Sequence, residues 1–236
     1  MDKELEQDLE KLKNPQRAKI SQRFFKTGKG EYGEGDIFIG LTVPQTRIIA
    51  KKYKKMELDG IQELIDSKIH EHRLLGLLIL VDKYQKENGN KLSQSRLYDF
   101  YMKNSKKVNN WDLVDLSAHY IVGHYLDDEK DKTIIYKFAR SENLWERRIA
   151  IISTFYQIRN KKYEEMLKVS EMLLNDQHDL IHKAVGWMLR EVGKRDQKVE
   201  ENFLKKHYKK MPRTMLRYAI ERFEEGKRRA YLNGTI

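Results

Sequence analysis

Helical periodicity with almost nothing to interrupt it is the strongest constraint on this chain. Three prolines and thirteen glycines are spread over 236 residues, which leaves long stretches free of breakers. Within them apolar residues recur at three and four, the spacing of an amphipathic helix. The pattern predicts helices over 3–13, 16–27, 43–55, 59–66, 70–86, 93–103, 110–124, 129–140, 144–158, 161–175, 178–194, 197–209 and 212–223. Thr42 before Val43-Pro44, Ser93 before "QSRLYDF" and Asn109-Asn110 before Trp111 have the chemistry of helix starts. Strand signals are nearly absent; "DIFIGL" (Asp36 to Leu41) is the single candidate and is read as a loop.

Several of these segments resemble one another: "EHRLLGLLILVDKY" from Glu71, "WERRIAIISTFYQI" from Trp145, "IHKAVGWMLREVGK" from Ile181 and "MPRTMLRYAIERF" from Met211. Arg73 and Arg148 are 75 residues apart, two units of about 37, and Arg148 and Lys183 are 35 apart. Such periods belong to solenoids of HEAT or armadillo type. The expected fold is all-α: a single domain over 1–236, an α-solenoid of HEAT-like antiparallel helix pairs with a concave basic groove. Asp115, Arg148 and Trp187 are spaced by 33 and 39 residues, so successive repeats would align them on that face.

Charge narrows the partners. The chain has 47 Lys plus Arg against 36 Asp plus Glu, a net charge of +11. Such an excess is expected to meet nucleic acid, an anionic membrane surface or an acidic protein; the alternative is a lysine-rich solvated surface. The absence of cysteine excludes disulfides, thiolate zinc sites and a cysteine nucleophile. The N-terminal "MDKELEQDLEKLK" is charged throughout and unlike a secretory signal, and the longest apolar run, "LLGLLILV" (Leu74 to Val81), is too short to span a bilayer. A soluble, cytoplasmic, monomeric protein with no cofactor and no membrane partner is expected.

Two clusters stand out. In "NNWDLVD" (109–115) Trp111 and Asp115 are four apart and share a helix face, which raises the question of why an indole and a carboxylate are paired in so basic a chain. Asp112 lies at the helix start, where an acid complements the dipole. In 178–194, Lys183, Trp187, Arg190 and Lys194 fall on one face, opposite Ala184, Val185, Met188, Leu189 and Val192. Trp187 is either a ligand contact or a half-buried residue under basic stems. Arg213 and Arg217 share a face by i, i+4. With Arg148, Lys183, Arg190 and Lys194 they would form a stripe able to follow a phosphate backbone. The competing possibility is separate salt bridges with Glu146, Glu191 and Glu221.

Two other features carry less. "RFFKTGKGEYGEGD" (Arg23 to Asp36) looks like a phosphate cradle but lacks the Lys-Ser/Thr ending and a preceding strand, and reads better as a mobile surface loop whose aromatics help anchor a ligand. "HEH" at 70–72, His119 and His124 have no metal-ligand spacing and read as surface or core histidines, so no metal site is expected.

The motifs "WDLVD" (Trp111 to Asp115), "WERRIAI" (Trp145 to Ile151) and "HKAVGWMLREVGKRD" (His182 to Asp196) resemble the AlkD family of bacterial DNA alkylation-repair glycosylases, and the resemblance runs over nearly the whole chain, including the "MPRTMLRYAIERF" ending. It implies a HEAT-like solenoid that holds duplex DNA against a basic concave surface and releases N3- and N7-alkylated purines, working on the exposed sugar with the lesion left in the duplex. It implies Asp115 as the catalytic carboxylate, Trp111 and Trp187 as contacts to the lesion's deoxyribose, and Arg148 as a contact to the DNA backbone. Phe24 stands where the family has a DNA-contacting tyrosine, and the insert at 28–36 departs from the best-known members. The alternatives are a non-catalytic solenoid that binds branched or distorted DNA, and a protein-interaction scaffold.

Overall fold

In the computed structural model, residues 2–127, 129 and 131–236 are described. The chain forms two compact units, Met1–Ser117 and Ala118–Ile236. Among the described residues both are helical; the strand-like pairing is confined to an isolated parallel bridge between Ile37 and Ile69, which leaves 36–41 a loop as its composition predicts. No helix among the described residues is long and apolar enough to cross a membrane.

The first unit contains α1 (Lys3–Leu12), α2 (Pro15–Phe24), α3 (Val43–Lys52), α4 (Leu58–Ile65), α5 (His70–Lys86), α6 (Lys91–Lys103) and α7 (Trp111–Asp115). Helix α5 organises it. Of its 17 residues only Asp82, Lys83, Gln85 and Lys86 escape burial, because α3, α4, α6 and α7 pack around it. A helix apolar on every side belongs at the centre of its domain, and "LLGLLILV" is that centre. Its first turn, His70 to Arg73, is buried with it despite being polar. Helix α3 begins at a capping box: Thr42 Oγ1 accepts from the Gln45 amide, and the Gln45 side chain accepts from the Thr42 amide. Helix α6 starts two residues before the expected 93. Asn90 is its cap and accepts from the Ser93 amide, so Ser93 lies inside the first turn.

The second unit contains a π-helical turn (His119–Gly123), α8 (Thr133–Ala139), α9 (Leu144–Ser153), α10 (Phe155–Arg159), α11 (Glu164–Met172), α12 (Asp179–Gly193), α13 (Gln197–His207), α14 (Arg213–Ala219), a 3-10 turn (Ile220–Arg222) and α15 (Glu225–Asn233). Helix α9 packs on α8 and α12, and α12 packs on α13 and α14, the neighbour-to-neighbour stacking of an α-solenoid within this unit. The expected helix 129–140 runs across Lys130, which lies outside the described residues.

Two expected helices are broken, for the same reason. The span 110–124 divides after Asp115, where Ser117 Oγ donates to the Leu113 carbonyl at 2.5 Å. The span 144–158 divides at Thr154, where Thr154 Oγ1 donates to the Ile151 carbonyl at 2.7 Å and Ser153 Oγ to the Ile149 carbonyl at 2.6 Å. Short hydroxyl side chains compete with the backbone for its own carbonyls and bend or end helices. The π turn follows the first break, and its Gly123 carbonyl accepts from Gln157 Nε2 at 2.8 Å. Helix α15 has no counterpart among the expected spans, because Tyr231 is its one buried side chain and its apolar period is almost absent.

Gly186 sets the seating of α12. A Cβ there would lie 2.4 Å from the Met215 carbonyl oxygen and 2.5 Å from Tyr218 Cβ, so α14 rests on bare backbone next to Trp187. Gly186→Ala is expected to push the two helices apart and destabilise the protein by about 1–3 kcal/mol, the usual cost of overpacking. Denaturant unfolding checks it: the midpoint should fall, and an unchanged midpoint contradicts the close approach.

Candidate functional site

The N-terminus of α7 is held from behind. Asn110 caps it, its Oδ1 accepting from the Trp111 amide at 2.8 Å. Trp111 is half-buried, and one ring face is covered: Phe25 stacks on it at 5.3 Å between centroids and 16° between planes. Phe25 stacks in turn on Phe38 at 4.9 Å, and Phe38 on the His70 ring at 4.5 Å. Phe24 meets Trp111 edge-on at 6.0 Å and is 64% exposed. A ring with so much surface in water is available for a partner, and it borders Trp111.

Asp115 closes α7, on the same helix as Trp111 and partly exposed. Asp112 is different from its expected role as a surface helix-terminal acid. Its side chain is 10% exposed, with Oδ1 accepting from the Leu113 amide at 2.9 Å and Oδ2 paired with His70 Nε2 at 2.8 Å. The correction has a simple cause: helix α5 is buried around its whole circumference, so α7 packs on its first turn and Asp112 goes inside with it. Of the two carboxylates in "WDLVD", Asp115 is therefore the one that a ligand can approach.

The network behind α7 was not anticipated. Asp36 Oδ1 accepts from an Arg73 guanidinium nitrogen at 2.6 Å, and Asp36 Oδ2 lies 3.4 Å from His70 Nδ1 and accepts from the Asn110 side-chain Nδ2 at 3.3 Å. Burial pushes Asp36 up, but the His70 bond and the Arg73 charge outweigh it and hold the carboxyl below its ordinary value. Burial likewise opposes charge on His70, yet the Asp112 charge and the bonds to Asp112 and Asp36 prevail and raise it to about 9. "HEH" is thus a core motif at this position. A polar quartet opening a helix with no polar face was the available signal, since such residues must be buried and must find partners.

The glycine-rich insert is no anion cradle. The Gly28 and Gly30 amides donate to Glu31 and Glu34, each at 2.8 Å, and the Gly40 amide donates to Glu71 Oε1 at 2.7 Å. Amides that would hold phosphate are occupied by the protein's own carboxylates. Among the described residues no group of three His, Cys, Asp or Glu is placed to hold a metal ion.

In the second unit, Ala184, Val185, Met188, Leu189 and Val192 are fully buried while Trp187 is half-buried, so the two faces of α12 divide as expected. Trp187 lies 5.8 Å from Phe155, whose ring is 5.2 Å from His119 and carries the Arg195 guanidinium 5.9 Å above it. Burial and the Arg159 charge push His119 down to about 4, so it is neutral. Arg148 is buried and donates to the Leu180 carbonyl at 2.6 Å. The basic residues bear out part of the salt-bridge alternative. Lys183 pairs with Asp179 at 2.6 Å, Lys194 with Glu191 at 2.5 Å, and Arg190 with Glu221. Glu146 accepts from the Ser141 hydroxyl. Arg213 is exposed and donates to the Leu232 carbonyl; Arg217 is exposed on the next turn.

The His70 network predicts a pH dependence. Its folded value is raised, so its contribution is complete below the unfolded value near 6.5 and is lost as pH climbs through about 9. The stability gap between the parent and His70→Gln should shrink by about 3 kcal/mol over that window. Denaturant titrations at pH 6, 7.5 and 9.5 measure it; a constant gap contradicts the raised value.

Comparison with known proteins agrees with this architecture. The DNA alkylation repair enzyme family matches residues 5–223. A solved structure described as a predicted DNA alkylation repair enzyme from Enterococcus faecalis is similar in fold, with a TM-score of 0.70 at 18% identity, over 90% of this chain and 97% of that one. No curated protein matches. With a match that spans nearly all its helices, the chain belongs to the family of DNA alkylation repair enzymes.

Proposed function

We propose that the protein is a monofunctional DNA glycosylase that removes N3- and N7-alkylated purines from duplex DNA. Asp115 stabilises the charge that develops on the sugar, and Trp111 and Trp187 offer indole surfaces to the deoxyribose. The observation that carries this is the arrangement of α7: Asp112 is buried against His70, while Trp111 and Asp115 are both partly exposed on the same five-residue helix.

The chemistry needs little else. Glycoside hydrolysis usually takes two carboxyl groups, one of them an acid for the leaving oxygen. A purine alkylated at N3 or N7 already bears a positive charge. When its bond to C1′ breaks, the electron pair moves to the base, which departs neutral without an added proton. The positive charge passes to the sugar. Water then adds to C1′ and releases a proton. One fixed carboxylate stabilises the sugar cation, and indole faces add attraction to a positive centre.

DNA binding is proposed to use Arg148, Lys183, Arg190, Lys194, Arg213 and Arg217, with Phe24 as an aromatic contact. The exposed ion pairs do not oppose this. Lys183 and Asp179 are 39% and 55% exposed, and pairs of that kind contribute at most about 1 kcal/mol, so a phosphate can take over the cation.

Asp115→Asn is expected to lower single-turnover release of N7-methylguanine by about 10²–10³-fold, with duplex affinity held or slightly raised. The spontaneous loss of the charged base is subtracted. Equal release by both proteins removes Asp115 from the mechanism. Release by the parent no faster than the spontaneous rate favours a non-catalytic DNA-binding protein. Duplex affinity should fall steeply with salt. Arg217→Ala should weaken binding to all sequences alike and reduce the slope of log K against log salt by about 0.9. An affinity indifferent to salt removes the phosphate contacts and favours a protein scaffold.

A further inference from the structure

We propose that His70, which never touches DNA, is a positioning residue: by bridging Asp112 and Asp36 it fixes the short helix that presents Trp111 and Asp115. The inference rests on the glycosylase function proposed above and deepens it.

Helix α7 has five residues, too few to hold its own shape, because the first turn of any helix is the costly one. Its geometry must therefore come from outside. The fastenings on its first turn converge on one point. Asn110 caps the Trp111 amide with its oxygen and lies 3.3 Å from Asp36 through its nitrogen. Asp112 holds the Leu113 amide with one oxygen and His70 with the other. Trp111 rests on Phe25, whose ring is 5.0 Å from that of His70. Hydrogen bonds and ring contacts from the α7 cap and first turn thus reach the imidazole directly or through one intermediary. His70 is 2% exposed, so any influence on a substrate must pass through Asp112 or the aromatic stack.

The bridge also requires a charged ring. A neutral imidazole donates from one nitrogen only. Here both nitrogens face carboxylates, Nε2 at 2.8 Å and Nδ1 at 3.4 Å. The charged groups around the ring are Asp112 from α7, Asp36 from the preceding loop and Arg73 from its own helix. With His70 protonated these four sum to zero. With His70 neutral, one buried negative charge is uncompensated, and Asp36 loses a donor. The raised value of about 9 agrees with the geometry. Protonation of His70 therefore tightens the seat of α7, and its loss loosens it. Misplacing a reactive group by an ångström can cost up to about 10²-fold in rate.

The test is single-turnover release of N7-methylguanine from duplex DNA at saturating protein, from pH 6.5 to 10, with the protein-free rate subtracted at each pH. The parent, His70→Gln, Asp36→Asn and Asp115→Asn are compared, and imidazole NMR follows His70 in the parent. The parent rate should be level to pH 8 and fall several-fold through about 9, in step with the His70 titration. His70→Gln should release base ~10-fold more slowly at pH 7, with no alkaline fall and a duplex Kd within twofold of the parent. Asp36→Asn should move the fall to lower pH, because it removes a charge that favours the protonated ring. If His70→Gln does not fold, the parent profile and Asp36→Asn still decide. A level parent profile to pH 10, or His70→Gln as fast as the parent at pH 7, overturns the inference. So does a His70→Gln rate that is lowered but keeps the parent's alkaline fall. Parent activity that is lost in Asp115→Asn but indifferent to His70 overturns this inference alone; no release by the parent at any pH overturns the glycosylase function as well.

Discussion

A carboxylate withdrawn from water needs opposite charge close by, and two of them, Asp36 and Asp112, are withdrawn at the same end of α5. The partners, His70 and Arg73, both stand on the first turn of that helix. The arrangement follows from α5 itself. Because α5 is enclosed on all sides, its polar first turn enters the core with the rest, and whatever packs there must bring acids. The loop from α2 to α3 brings Asp36, and α7 brings Asp112. Buried ion pairs often add little net stability, because desolvation offsets the attraction, yet removing one partner costs about 3–5 kcal/mol. Their effect is to make one geometry much better than its neighbours. Here that geometry joins three segments far apart in sequence and sets the place of Trp111.

The glycine-rich insert shows how composition alone misleads. Successive amides in a flexible loop bind anions when they are left to a ligand. In this loop Glu31 and Glu34 occupy them, and Glu71 occupies those of Ile39 and Gly40. Added carboxylates would also repel a phosphate. What the insert delivers is Asp36 at its far end, and Gly40 allows the chain to pass Asn14 where a Cβ would lie 2.1 Å from a carbonyl oxygen. A segment that looks like a ligand cradle is a strap, tied by acids to its own backbone and to α5.

Legibility followed the range of the interactions. Long helices such as α5, enclosed all round, and α12, with a strong apolar stripe, could be read to within a residue or two, because burial writes itself directly into a long local run of sequence. Breaks at Ser117 and Thr154 could not, since a serine or threonine in a helical pattern has several possible hydrogen-bond partners and the sequence does not say which it takes. Trp111 with Asp115, and the cations around Trp187, could be picked out as candidates because i, i+4 spacing is local. The His70 network was invisible for the opposite reason. Asp36, His70 and Asp112 are separated by 34 and 42 residues, and no periodicity links them. The same blindness made Asp112 look like a surface acid, although its neighbours in sequence are identical in either case.

On the glycosylase function proposed here, a partly exposed carboxylate on the same helix as an indole has a rationale even in a strongly basic chain, in the difference between two states of the substrate. Before reaction, Asp115 is repelled by the phosphates of any duplex it approaches, and the chain's net charge of +11 offsets that repulsion in bulk. An alkylated base is already positive, so some attraction exists at the start, spread over the purine ring. As the bond to C1′ lengthens, that charge moves onto the sugar. A fixed carboxylate then gains more from the transition state than from the bound substrate, and only such a gain accelerates the chemical step. Asp112, buried and held by His70, serves structure instead. The two acids of one short helix thus differ in burial, Asp112 inside against α5 and Asp115 partly exposed at the helix end.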